Sequence, residues 1–152
     1  MSLNHDFLLL DRSTDPVESY GHHIHSSEAL LLHDDLIHYM LDALAWVPTE
    51  NPATQGDGNG MGLNLYGPTV ISQRGARKFQ EVCSAMAMLF AAGPKTLKLR
   101  GLYSWDGDDP ASGGYERLSV GRDEVVGKRS NLASWTETAG SSPGAYVLHL
   151  GI

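Results

Sequence analysis

A chain of 152 residues with 41% hydrophobic and 19% charged side chains can bury roughly 70% of its unfolded surface in one core, so a single globular domain over residues 1–152 is expected. No run approaches the roughly 18 apolar residues of a bilayer span, and no membrane partner is expected. The net charge of −7 resides in residues 1–60, which hold ten acids and one base, whereas residues 61–152 hold eight acids and ten bases. An acidic surface repels phosphate and attracts cations, which argues against nucleic acid and for a basic protein as partner.

The single cysteine, Cys83, leaves no disulfide framework and no cysteine metal cluster. Met1-Ser2-Leu3 lacks the basic start and long apolar run of a secretory leader. Residues 1–4 read as disordered or partly tag-derived, and a cytoplasmic location is the default.

Phe7–Leu10 is a short apolar run closed by Asp11-Arg-Ser-Thr-Asp-Pro16, which predicts a buried first strand and then a loop. Tyr20–His25 and Glu28–Leu32 are too short for periodicity to separate strand from helix, and a short strand is favoured. Asp34 or Asp35 is placed to cap a helix whose apolar face is Leu36, Ile37, Met40, Leu41 and Leu44, ended by Pro48. Residues 49–62, with Gly-Asp-Gly-Asn-Gly-Met-Gly at their end, carry too few apolar groups to offset chain ordering and predict a mobile loop.

Leu63 and Leu65, then Val70 and Ile71, flank Gly67-Pro68 and predict strand, bend, strand. Ser72 is placed to cap the longest helix, in which Ala76, Phe79, Val82, Cys83, Met86, Leu89 and Phe90 form one stripe before Gly93-Pro94 stops it. Leu97, Leu99, Gly101, Tyr103 and Trp105 alternate with Lys98 and Arg100, and Tyr115–Val120 returns, so an antiparallel hairpin with an acidic, glycine-rich loop is expected. Asp123 is placed to cap a third helix carrying Val125, Val126, Leu132 and Trp135, weakened by Gly127 and the polar Arg129. Tyr146, Leu148, Leu150 and Ile152 predict a last strand, with Val147 and His149 on its other face. Hairpins mixed with helices imply an α+β domain, with about three helices packed on a mixed or antiparallel sheet.

Several chemistries find weak support in the residues. Five histidines (His22, His23, His25, His33 and His38) lie within seventeen positions beside Asp34 and Asp35. On a strand His23 and His25 would point the same way, and on a helix Asp34 and His38 share a face, so these four could ligate a metal in a hydrolase. The bland reading, a solvated histidine-rich loop, is preferred, and no cofactor is expected. The glycine-rich loop lacks the ligand spacing of an EF-hand and the Gly-Lys-Ser/Thr of a P-loop. Cys83 is flanked at helical spacing by Phe79, Met86 and Phe90, the setting of a core residue rather than a nucleophile, and no serine sits in an elbow motif. What remains is an acidic loop bracketed by aromatics, Trp105, Asp106, Asp108, Asp109, Tyr115 and Glu116. Rings supply buried area and carboxylates steer encounter, so these six are the candidate partner-binding residues.

Gly62–Ile71 with its following helix, the motif Pro94-x-Thr-Leu-x-Leu-x-Gly101 and the acidic balance resemble, over residues 36–105, the small immunity-type proteins of bacterial toxin systems. The resemblance implies a non-catalytic binding function, with the basic active-site cleft of a toxin domain as its target.

Overall fold

The computed structural model describes residues 3–11, 13, 26–52, 60–105 and 107–152. The fold is α+β. Strands β1 (Asn4–Asp11), β2 (Leu30–His33), β5 (Pro68–Ile71) and β8 (Ala145–Leu150) form an antiparallel sheet in the order β2-β1-β8-β5. β3 (Pro48–Thr49) pairs with β4 (Gly60–Met61), and β6 (Thr96–Ser104) with β7 (Gly114–Gly121), as two separate antiparallel ribbons. The helices are α1 (Asp34–His38), α2 (Leu41–Leu44), α3 (Gln73–Ala91) and α4 (Arg122–Ser141), with a 3-10 turn at Pro110–Ser112.

β8 lies inside the sheet between β1 and β5, and Tyr146 through Leu150 are buried on both faces, so the run is apolar except for His149 rather than half-solvated. Ile152 lies beyond the strand and is exposed. Phe7, Ile71 and Val147 join the main core with Phe79, Cys83, Leu132 and Ala139 of the two long helices, while Leu8, Val70, Tyr146, Leu148 and Leu150 form a second cluster. Each buried Val, Leu, Ile or Phe among them contributes on the order of 1.5–3 kcal/mol on leaving water. α3 and α4 make the largest contact between any two elements. Gly75 permits α3 to meet β3, since a methyl group there would overlap the carbonyl oxygen of Pro48.

Several expectations are corrected. The Leu3 carbonyl accepts from the Asp34 amide at 3.0 Å and Asn4 opens β1. The ends of the 49–62 segment form the β3–β4 ladder, and residues 53–59 lie outside the described ones. Leu63 and Leu65 are not a strand. Pro68 instead opens β5, an outer strand of the sheet, where its missing N–H costs no ladder bond. Leu89 turns to solvent, and Ala87 takes its place in the core.

The first predicted helix breaks in two because Met40 donates to the Ile37 carbonyl at 2.9 Å, which leaves the Leu36 carbonyl for the guanidinium of Arg129 at 2.8 Å. Arg129, expected only to weaken its helix, is thus fully buried and caps α1. The helix caps also differ. His33, not Asp34 or Asp35, caps α1 through its ring nitrogen, Ser72 stands at the N-cap of α3 as expected but its Oγ donates to Glu50 at 2.7 Å instead of making a capping bond, and Gly121 rather than Asp123 opens α4.

Candidate functional site

The β6–β7 ribbon is held at its base and free at its tip. Leu97 is buried and Leu99, Leu118 and Val120 are partly buried against the main core, which supplies the covering that a two-stranded hairpin needs. Gly101 closes this packing, because any side chain there would meet the Asp35 carboxylate of α1. The register slips between Arg100 and Tyr103, so one extra residue on β6 faces β7. This bulge moves Tyr103 off the apolar face predicted by strict alternation and brings it opposite Tyr115.

The result is a row of rings beyond the bulge. Tyr103 meets Tyr115 edge-on at 5.1 Å and Trp105 at 6.1 Å, and its hydroxyl donates to the Pro110 carbonyl at 2.6 Å. Leu102, Tyr103, Trp105 and Tyr115 remain 47%, 40%, 50% and 55% exposed, a large apolar area for a ribbon tip. Beneath the tip a cleft of about 510 Å³ is lined by Ser104, Trp105, Ser112, Gly113, Gly114, Tyr115 and Glu116. Asp108 is exposed. Asp109 is exposed too, but its Oδ1 accepts the Ala111 amide at 2.9 Å and so shapes the loop. Trp105, Tyr115 and Glu116 are therefore brought together in one cleft with Asp108 and Asp109 at the tip, while Asp106 lies outside the described residues.

A second polar assembly lies inside the domain, with little local signal to announce it. His5 Nε2 is 2.9 Å from Asp34 Oδ1, His5 Nδ1 is 2.8 Å from His149 Nε2, and His149 Nδ1 is 3.4 Å from Thr69 Oγ1. A carboxylate only accepts, so the proton on neutral His5 sits at Nε2. His5 Nδ1 then accepts the His149 Nε2 proton, and His149 Nδ1 accepts the Thr69 hydroxyl. Thr69 Oγ1 in turn accepts the Asn64 amide at 2.8 Å. Both rings are fully buried. Burial lowers the pKa of His5 against the opposing pull of Asp34, and lowers that of His149 well below the ordinary value, with the His5 charge adding to the effect.

Asp34 also faces His38, whose Nε2 lies 3.5 Å from Oδ2, so the structure brings these two proposed metal ligands together. His23 and His25 lie outside the described residues, and among those described no three His, Cys, Asp or Glu side chains are grouped to hold a metal. Asp34 is spent on His5, a partner that the His22–His38 cluster did not include. Cys83 is buried in the core and its thiol is pushed up to about 12 by burial, the setting of an inert thiol. No family model, curated protein or solved structure matches the chain.

Proposed function

We propose that the protein is a non-catalytic binding module that grips a basic protein partner with the distal part of the β6–β7 ribbon. The observation that carries this reading is the cleft between Trp105 and Tyr115, which has Glu116 in its wall. A lysine or arginine entering it would meet aromatic faces, worth about 0.5–2 kcal/mol, together with a carboxylate. Asp108 and Asp109 at the tip, with Asp106 beside them in sequence, add attraction at long range. The resemblance to immunity-type proteins supports the same reading and gives the partner its chemistry, a toxin domain whose active-site cleft is basic. A bacterial, cytoplasmic setting belongs to this proposal.

The test is the association rate with a partner isolated from the native host, for the wild type and for a variant carrying Asp106→Asn, Asp108→Asn and Asp109→Asn. Asparagine keeps the side-chain oxygen that caps the 3-10 turn, so the loop keeps its shape. Association should slow and its salt dependence flatten, since screening shortens from about 10 Å at 0.1 M to about 3 Å at 1 M salt. An unchanged rate would place the surface elsewhere, most naturally on the acidic residues 1–60.

A second reading, a metal-dependent hydrolase using His23, His25, Asp34 and His38, has in its favour the 3.5 Å approach of His38 to Asp34. Stoichiometric zinc in tag-free protein, lost in His25→Ala, would favour it over the binding module.

A further inference from the structure

Below the bulge the same ribbon has the opposite character. Arg100 and Arg117 stand directly across from one another in the ladder, and Lys98 is two rungs away, opposite Ser119. Like charges directly opposite destabilise a strand pair. Acid–base pairs elsewhere in the chain engage Arg77, Lys78, Arg122 and Lys128, but among the described residues no carboxylate pairs with Lys98, Arg100 or Arg117. The three cations border a groove of about 990 Å³ whose other walls include Tyr39, Tyr115 and Leu118.

The groove is organised before anything enters it. The Arg100 amide donates to the Tyr39 hydroxyl at 3.1 Å, and the Tyr39 ring is seated 6.4 Å from Phe90 of the core. The Arg100 guanidinium lies 4.9 Å from the centre of the Tyr115 ring. This cation–π contact lowers the entropy that Arg100 would lose on binding. Forked guanidinium groups match the geometry of carboxylate and phosphate, and leucine and tyrosine walls take an apolar body. The volume falls within the range of small-ligand sites.

We infer that this groove is a binding site for a small organic anion, its carboxylate or phosphate held between Arg100 and Arg117 with Lys98 at the rim, and its apolar or aromatic part lying against Tyr39 and Leu118. The site is independent of the acidic tip, although Tyr115 borders both.

The probe is 1-naphthyl phosphate, titrated into the full chain by calorimetry at low salt, with 1-naphthol and inorganic phosphate as comparisons. One saturable site per chain is expected, with affinity at least tenfold above either comparison and at least tenfold weaker in Arg100→Gln and in Arg117→Gln. The probe should raise the melting temperature of the wild type and not of the variants. Because each substitution relieves the cross-strand repulsion, the unliganded variants should melt no lower than the wild type, which separates lost binding from lost folding. The Asp108→Asn/Asp109→Asn variant should bind the probe as the wild type does, so failure of the tip as a protein-binding surface leaves this result intact. Absence of saturable binding, equal binding of 1-naphthol, or unchanged affinity in both arginine variants would overturn the inference.

Discussion

His5 and His149, 144 positions apart in sequence, share a hydrogen bond of 2.8 Å with both rings fully removed from water. The pair joins β1 to β8 and, through Asp34, ties both to the start of α1. Its neutrality gives the fold a pH limit. Burial lowers the folded pKa of His5 and the neighbouring His38 adds to that, outweighing Asp34 and Asp6, which favour the charged form. His149 is lowered for the same reason. The unfolded chain therefore binds more protons below about pH 6.5, where histidine ordinarily titrates, and stability falls with pH there. Stability is complete above about pH 6.5 and should decline below it, with a slope of up to about 1.4 kcal/mol per pH unit for each histidine. Urea unfolding at pH 7.5 and 5.5 checks this, and His149→Gln should flatten the dependence while lowering stability at pH 7.5.

Arg129 is a buried cation that, among the described residues, makes one hydrogen bond, to the Leu36 carbonyl, and leaves its Nε and Nη1 without a partner. Burial accordingly lowers its pKa to about 10. Replacing a buried charge with an apolar side chain of similar volume is often neutral or stabilising, whereas truncation leaves a cavity. Arg129→Met should therefore lie within about 1 kcal/mol of the wild type, and Arg129→Ala should be less stable than Arg129→Met by about 2 kcal/mol or more. Denaturant midpoints of the three proteins give the order directly.

Gly75 and Cys83 test the packing around α3. Gly75→Ala drives a methyl group into the Pro48 backbone and should cost about 1–3 kcal/mol, a penalty absent at Gly127, where an added methyl meets nothing. Cys83 should react with a thiol reagent only as fast as the chain opens, and rapid labelling in native buffer would contradict its burial.

The elements legible in the sequence are those with local signals. α3 has a stripe every three and four residues and a Gly-Pro stop, and the base of the β6–β7 hairpin alternates at Leu97 and Leu99 on one arm and Leu118 and Val120 on the other. The helix predicted over 34–47 failed because its break is made by Arg129, 93 positions away from the carbonyl it takes. The bulge failed for a related reason, since alternation cannot register one extra residue on β6. At the candidate site, Trp105, Tyr115 and Glu116 were legible because a hairpin loop must expose its tip. The cationic groove was only half legible. Lys98 and Arg100 alternate visibly, but nothing local sets Arg117 opposite Arg100. His149 left one trace, a histidine alternating with Val147 on an otherwise apolar strand, which implies a buried partner without naming it.

The central claim is that the cleft between Trp105 and Tyr115 is where a basic partner is held, and equilibrium binding of a Trp105→Ala/Tyr115→Ala double variant to a partner isolated from the native host tests it most directly. Both side chains are more than one-third exposed, so the variant should fold with a melting temperature near that of the wild type. Loss of two aromatic anchors of this kind corresponds to at least about 2 kcal/mol, so affinity should fall about thirtyfold or more. An affinity equal to that of the wild type, in a variant shown to be folded, would contradict the account.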